Sequence, residues 1–320
     1  MKKISILIPA YNEQEVLEHL YQRIGKLAND NKSYAFEFLF VDDGSKDKTL
    51  QIIKDYAKKD DRVKYVSLSR NFGKEIGMIA GLDHVTGDAT VIIDADLQDP
   101  PELIPKMIKF WEEGYDDVYA KRSSREGETW IKIVTANTYY WLLNKMTQGQ
   151  LIKIPRNTGD FRLLDRRCVE ALKKLRESER YTKGMFSWVG FKKKEITYDR
   201  DPRAAGEVKQ NYRKLINLAI DGITSFSTTP LRISSFFGVI ISVSAFIYLF
   251  WVIIKAAMFG DTVAGYPSLM AVVLFLGGVQ LLSLGVIGEY IGRIFKEVKQ
   301  RPLYYIEESN TSEKSDKKVR

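Results

Sequence analysis

Two long uncharged runs near the end of the chain restrict its fold more than any other feature. Ile233 to Ile254 is 22 residues long and Ser268 to Gly288 is 21, and neither contains Asp, Glu, Lys or Arg. As a helix, the first run spans about 33 Å at ~1.5 Å per residue, which matches a ~30 Å hydrocarbon core. Helices buried in a globular domain rarely stay uncharged for so long. The intervening stretch, Lys255 to Pro267, holds one Lys and one Asp. The outer flanks hold Arg213, Lys214 and Arg232 on one side, and Arg293, Lys296, Lys299 and Arg301 on the other. That asymmetry predicts a two-helix transmembrane hairpin, about 233–254 and 268–288, with both flanks cytoplasmic. Gly277, Gly278, Gly285 and Gly288 would let its helices approach closely. Tyr212 to Phe226 carries a broad apolar face and reads as a core helix or, placed just before a span, as an interfacial one.

The first two thirds follow a different pattern. Ile4 to Pro9, Phe36 to Val41, Val63 to Leu68 and Val91 to Ile93 read as strands. Between them Val16, Leu17, Leu20, Ile24 and Leu27 fall at helical spacing, as do Leu50, Ile53 and Ala57, and Lys74 to Val85 forms a third helix. Four alternations of strand and helix predict a parallel sheet with helices on both faces. Asn12 and Glu15 resemble a capping box for the first helix.

Ligands of open α/β sheets bind where strands end, and three of these strands end in polar residues. Asp42-Asp43-Gly44-Ser45 is either a plain turn or part of a ligand site. Asp94-Ala95-Asp96-Leu97-Gln98-Asp99 is the more acidic of the two. In an extended chain Asp94, Asp96 and Gln98 would share one side. Two carboxylates held so close repel unless a cation lies between them, and oxygen donors suit Mg²⁺ or Mn²⁺. A short acidic motif alone is usually a solvated turn, so its placement beside Asp42 and Asp43 carries the argument. Asp99-Pro100-Pro101-Glu102 resembles a helix start with Asp99 as N-cap. Lys121-Arg122 could reach phosphate or form a surface pair. Asp160 and Arg162 read either as a buried structural ion pair or, for Asp160, as a catalytic carboxylate near the acceptor. Arg200 to Lys209, with Arg203 and Lys209, reads as a cationic loop able to close over phosphate. Thr129 to Met146 looks helical, and Glu307 to Arg320 polar and disordered.

Composition narrows the function. A single cysteine, Cys168, forms no internal disulfide. His19 and His84 are too few for a histidine-rich zinc site. The net charge of +8 concentrates beside the uncharged runs, which favours an anionic membrane over nucleic acid. The apolar run before Pro9 is too short for a signal-peptide core. GxGxxG, GxxxxGK[ST] and GxSxG motifs are absent, which weighs against hydride transfer, P-loop hydrolysis and serine hydrolysis.

In this order, Pro9-Ala10-Tyr11-Asn12-Glu13, Val41 to Ser45, Ser69 to Lys74, Asp94 to Glu102, Gly159 to Leu163 and the two spans resemble glycosyltransferase family 2. More narrowly the chain is similar to the membrane-anchored bactoprenol (undecaprenyl-phosphate) glycosyltransferases, relatives of dolichyl-phosphate mannose synthase. The resemblance reaches to about Arg301. It implies an α/β GT-A catalytic domain, Rossmann-like with a mostly parallel sheet, over residues 1–210. An amphipathic interfacial helix (211–231), the membrane hairpin (232–295) and a partly disordered cytoplasmic tail (296–320) follow.

By the same likeness Pro9, Tyr11, Glu13, Val41 and Asp43 hold the base and ribose of a nucleotide-sugar. Asp94, Asp96 and Gln98 surround Mg²⁺ or Mn²⁺ and the diphosphate, Asp160 is the catalytic base, and Arg122, Arg203 and Lys209 meet phosphates. Val208 and Gln210 depart from the small hydroxyl residue and the aromatic that commonly flank that lysine in relatives. The QxxRW signature of processive synthases is absent, which favours transfer of one sugar. The implied reaction is inverting transfer from a UDP-sugar to undecaprenyl phosphate on the cytoplasmic face of a bacterial membrane. Glucose is the favoured sugar, with N-acetylglucosamine, mannose or aminoarabinose as alternatives. A non-catalytic membrane scaffold is the rival from another class, and such a protein would be expected to have lost these acids. Implied partners are the donor, the lipid acceptor, membrane lipid, further copies in a homo-oligomer, and a flippase and second transferase downstream, with no nucleic acid.

Overall fold

A computed structural model describes residues 1–123, 155, 157–178, 180–199, 224, 227–259 and 265–311. The chain divides into two compact units, residues 1–219 with 302–320, and residues 220–301.

In the first unit the described residues build one sheet of eight strands. These are β1 (Lys3–Ala10), β2 (Ala35–Asp42), β3 (Val63–Leu68), β4 (Ala89–Ile92), β5 (Asp117–Arg122), β6 (Thr158–Asp165), β7 (Lys193–Tyr198) and β8 (Ile306–Ser309). Their order across the sheet is β7-β5-β6-β4-β1-β2-β3-β8. β1, β2, β3 and β4 run parallel, with Pro9 beside Val41 and Asp42 beside Ser67. The ends of β1, β2 and β3 therefore reach one edge together. β6 enters antiparallel between β4 and β5, with Ile92 paired to Arg162. The sheet is thus mixed, where four strand–helix alternations predict a parallel one.

Helices α1 (Leu17–Asp30), α2 (Thr49–Lys59), α3 (Lys74–His84), α4 (Ile104–Glu112), α5 (Arg166–Lys173) and α6 (Thr182–Trp188) complete this unit among the described residues. Side chains alternate across a strand, and β1 shows both faces covered. Ile4, Ile6 and Ile8 join Leu17, Leu20 and Ile24 of α1, Ile53 of α2 and Ile104 and Met107 of α4 in one core. Leu7 points the other way, toward α3, where a Cβ on Gly81 would lie 2.1 Å from a Leu7 methyl. Glycine at that position lets α3 lie close to the sheet.

Two predicted helix starts are corrected. α1 begins at Leu17 after Val16, with no side-chain cap. Asn12 is drawn away because its Oδ1 accepts the Lys46 backbone N–H at 2.8 Å. Asp99 caps no helix either: a short 3-10 turn, Pro101–Leu103, precedes α4. The tail also differs from expectation. Ile306–Ser309 pairs antiparallel with β3, and Asn310 Oδ1 accepts the Tyr65 N–H at 2.7 Å. The free edge of β3 gives this polar segment a hydrogen-bonding template that composition does not reveal.

The second unit contains α7 (Thr229–Phe259) and α8 (Tyr266–Val298), of 31 and 33 residues. Both expected spans lie within them, and both helices outrun the uncharged segments. α8 continues through Glu289, Arg293 and Lys296 because no proline intervenes before Pro302 and an Arg293–Glu289 ion pair follows i,i+4 spacing. The boundary expected at residue 296 therefore falls inside a helix. Apolar windows at Thr229–Tyr248 and Phe275–Val298 are long enough to cross a membrane. Large apolar side chains such as Phe236, Phe250 and Leu281 are exposed on them. The Thr129–Met146 segment, residues 211–223 of the expected interfacial helix, Arg203 and Lys209 lie outside the described residues.

Candidate active site

The loops that leave the sheet edge are tied to one another. Asn12 N–H donates to Ser45 Oγ at 3.0 Å and Glu13 N–H to Thr49 Oγ1 at 2.8 Å. Gly44 adopts φ +67°, and a Cβ there would lie 2.5 Å from the Arg70 carbonyl carbon. Only glycine fits both restrictions. Pro9 is half-buried, Val41 is buried, and Tyr11 is 40% exposed at the same edge.

Both acids of the β2 end are structurally engaged. Asp42 accepts from Ser45 N–H at 3.2 Å and Ser67 Oγ at 2.9 Å. Asp43 accepts the N–H of Phe72 at 2.7 Å on one oxygen and that of Gly73 at 2.8 Å on the other. These two amides stand directly before α3, so Asp43 fixes the start of that helix. Burial raises the Asp43 pKa and the neighbouring Asp42 charge adds to the rise, while the two amides oppose it.

The first residue of α3 is Lys74, and its ammonium reaches two acids. Nζ lies 2.7 Å from Asp94 and 2.7 Å from Oδ2 of Asp160. Burial acts against the Lys74 charge, but Asp94 and Asp160 hold its pKa far above the usual lysine value. Burial also acts against ionisation of Asp160. Lys74, Lys183 and Arg162 outweigh it and hold its pKa at about 2. Asp160 is 8% exposed and its Oδ1 is buried, with no hydrogen-bond partner among the described residues. Next to Lys74, Glu75 accepts the Thr182 N–H at 3.0 Å. Burial and the Asp160 charge raise its pKa.

The acidic motif is shaped by a turn rather than a pleat. β4 stops at Ile92, Ala95 and Asp96 lie in a turn, and Leu97 has φ +61°. Asp94, Asp96 and Gln98 are nevertheless half-exposed, while Ala95, Leu97 and Asp99 are buried. The predicted phase survives although the extended backbone does not. Gln98 N–H donates to Asp96 Oδ1 at 3.2 Å. Among the described residues no three His, Cys, Asp or Glu side chains cluster as a metal cage. An oxygen-seeking divalent ion needs no such cage when a substrate diphosphate and water complete its coordination. Asp94, Asp96 and Gln98 supply hard oxygen donors, and Asp160 Oδ1 adds an unmatched acceptor nearby. These residues fit Mg²⁺ or Mn²⁺.

Arg162 separates from Asp160, its neighbour but one. It pairs instead with Asp117 on β5 at 3.1 Å, both deeply buried, with its guanidinium 3.7 Å from the centroid of Phe186. The buried ion pair of Arg162 is therefore with Asp117 and not with Asp160. Arg122 ends β5 beside Tyr198, whose hydroxyl donates to Asp99. Arg122 Nε is buried without a hydrogen bond among the described residues. The sequence does not single out Lys74, Glu75 or Lys183. The signal for Lys74 is its place at the end of the Ser69 to Lys74 motif, which carries part of the family resemblance but names no partner for it.

Residues 5–173 match glycosyl transferase family 2, and residues 229–294 match the GtrB C-terminal hairpin. The chain belongs to glycosyl transferase family 2; it is a glycosyltransferase with a GT-A fold, and its two C-terminal helices match the GtrB C-terminal hairpin. It is 52% identical over 304 residues to an uncharacterised glycosyltransferase of Synechocystis sp., covering 95% of this chain and 94% of that one. It is 48% identical over 304 residues to a prophage bactoprenol glucosyl transferase homolog of Escherichia coli, covering 95% and 98%. Among solved structures it resembles mannosyl-3-phosphoglycerate synthase from Rubrobacter xylanophilus at 18% identity and a TM-score of 0.48, over 69% of this chain and 71% of that one. The two long apolar helices, their match to the GtrB hairpin and the relatives named bactoprenol glucosyl transferase associate the chain with a membrane.

Proposed function

We propose that this glycosyltransferase moves one sugar, glucose first among the candidates, from a UDP-sugar to undecaprenyl phosphate with inversion at the anomeric carbon. The observation that carries the reading is the Asp94–Lys74–Asp160 constellation at the sheet edge, in a chain whose relatives include proteins named bactoprenol glucosyl transferase. Pro9, Tyr11, Glu13, Val41 and Asp43 line or support the edge that takes the base and ribose. Asp94, Asp96 and Gln98 hold the divalent cation and the diphosphate side of the donor. When bound, Mg²⁺ or Mn²⁺ neutralises charge that builds on the leaving diphosphate. Arg122, Arg203 and Lys209 bind phosphate oxygens.

The acceptor is a phosphate monoester with a second pKa near ~6, so it reaches the site already charged. Asp160 therefore orients the attacking oxygen and takes any remaining proton on Oδ1, the atom left without a partner. Lys74 keeps Asp160 ionised for that task. The hairpin anchors the catalytic domain on the cytoplasmic face and confines enzyme and lipid to one surface, which raises their effective concentration. The glycosyl lipid would then pass to a flippase and a second transferase.

The test is incubation of the purified full chain with undecaprenyl phosphate and a panel of nucleotide-sugars with Mg²⁺ or Mn²⁺, followed by mass spectrometry of the lipid. A single added hexose from UDP-glucose is expected. A different added mass reassigns the sugar. No lipid product from any donor removes the transfer reading and leaves the scaffold alternative.

A further inference from the structure

Lys74 is the one described cation that touches both an acid of the candidate metal site and the candidate base. Its backbone is fixed, because Asp43 holds the two amides just before it. Its side chain is 45% exposed while that of Asp160 is 10% exposed. Nζ lies 2.7 Å from each of the two Asp94 oxygens and 2.7 Å from Asp160 Oδ2. An ammonium has three donors and no acceptor, so these contacts use it fully. With Asp94 already neutralised by this ammonium, a divalent ion there would meet a like charge at close range.

We propose that Lys74 is a positioning residue that occupies the cation site of the unloaded enzyme and competes with the divalent ion for Asp94. The repulsion between Asp94 and Asp160 is relieved by the protein's own charge until donor and ion arrive. On loading, Lys74 gives up Asp94 and retains Asp160. Metal affinity without donor is thereby kept low, and the diphosphate supplies the ligands that tip the exchange. The inference rests on Asp94 and Asp96 being the metal ligands of the proposed transfer, and it concerns binding rather than turnover.

The test is Mn²⁺ binding to the purified full chain without donor, followed by the electron paramagnetic resonance signal of free Mn²⁺. Lys74→Met and Lys74→Gln are expected to bind Mn²⁺ roughly five- to tenfold more tightly than wild type, the response to removing one nearby like charge. Lys74→Arg keeps the charge and should stay within about twofold of wild type. The glutamine variant retains a hydrogen-bonding head and serves where methionine costs the fold. A residue with only a structural role gives weaker binding on substitution, so a gain is diagnostic. Unchanged or weaker binding in the Met and Gln variants, an arginine variant as tight as methionine, or no Mn²⁺ binding by any of them overturns the proposal. Tighter binding without lipid product from any nucleotide-sugar sinks the transfer reading and keeps this one. Product formation with unchanged Mn²⁺ affinity does the reverse.

Discussion

Asp94 and Asp160 are joined through one ammonium although they are 66 positions apart, Lys74 lying 2.7 Å from each. The last ladder pair between β4 and β6 is Ile92 with Arg162. Carried two residues further, that antiparallel register sets Asp160 across from Asp94. The sheet thus aligns an acid on the donor side with an acid on the acceptor side before any ligand is present.

Removing the acid on β6 tests that alignment. Asp160→Asn should lower kcat by roughly ten- to a hundredfold, less than the 10²–10⁴ typical of general bases, because the acceptor carries its own charge. KM for the donor should change little. Steady-state kinetics with both substrates varied separates the two. A kcat unchanged within twofold would remove Asp160 from the chemistry.

The pH dependence follows from the same pair. Asp160 has a pKa of about 2, below its free value near ~3.9. Its pairing therefore stabilises the fold above the free value, and that contribution is lost as the pH falls through about 2. Asp160 stays ionised throughout the neutral range, so it should not give the acidic limb of the rate profile. That limb belongs to the acceptor phosphate, with a midpoint near ~6. A kcat/KM profile flat down to pH 5 would contradict the assignment.

Asp43 tests how the site is assembled. Asp43→Ala leaves the Phe72 and Gly73 amides without their acceptor, at a cost of about 2 kcal/mol. The start of α3 loosens and Lys74 loses its fixed origin. A lower Tm together with a raised donor KM is expected, and the Asp43→Asn variant should recover part of both, since one side-chain oxygen remains. Wild-type donor KM in the alanine variant would confine Asp43 to stability.

How far the sequence reveals these features depends on the length scale of the cause. Periodicity placed β1, β2, β3 and the first three helices, because burial on one face imposes it locally. The acidic motif was legible as a phase, and Asp94, Asp96 and Gln98 do share accessibility, but the turn at Ala95 and Asp96 was not, since it depends on where β4 stops. β6 gave no local sign that it would run antiparallel; its direction is set by its neighbours β4 and β5. Lys74 was hidden for the same reason, as its partners lie on two other strands. Asn12 and Asp99 looked like caps, and each instead found a partner elsewhere in the fold.

Arg162 and Asp117 form a buried pair whose first effect is on stability. Arg162→Met strands the Asp117 carboxylate in the core, which should cost about 3–5 kcal/mol. The Arg162→Met/Asp117→Leu double variant should be more stable than the single one, because the buried carboxylate is gone and only Lys193, 3.8 Å from Asp117 and less buried, loses a partner. Thermal melts of both variants check this, and equal destabilisation would mean the pair is not the cause.

The returning tail gives the last test. β8 covers the edge of β3, Tyr305 carbonyl accepts the Ser69 N–H at 3.0 Å, and Tyr304 hydroxyl donates to Asp83 of α3 at 2.7 Å. The tail therefore braces both the strand that enters the Ser69–Lys74 loop and the helix that leaves it. Deleting residues 302–320 exposes an unpaired strand edge and removes those braces. A Tm loss of roughly 4–8 °C, corresponding to about 2 kcal/mol in a unit of this size, should be accompanied by greater aggregation. Among the described residues the tail touches no proposed substrate group, so kcat should fall only as far as the Lys74 loop loosens, by less than about tenfold. A truncated chain with unchanged melting and solution behaviour would show that the strand contributes nothing to the sheet it joins.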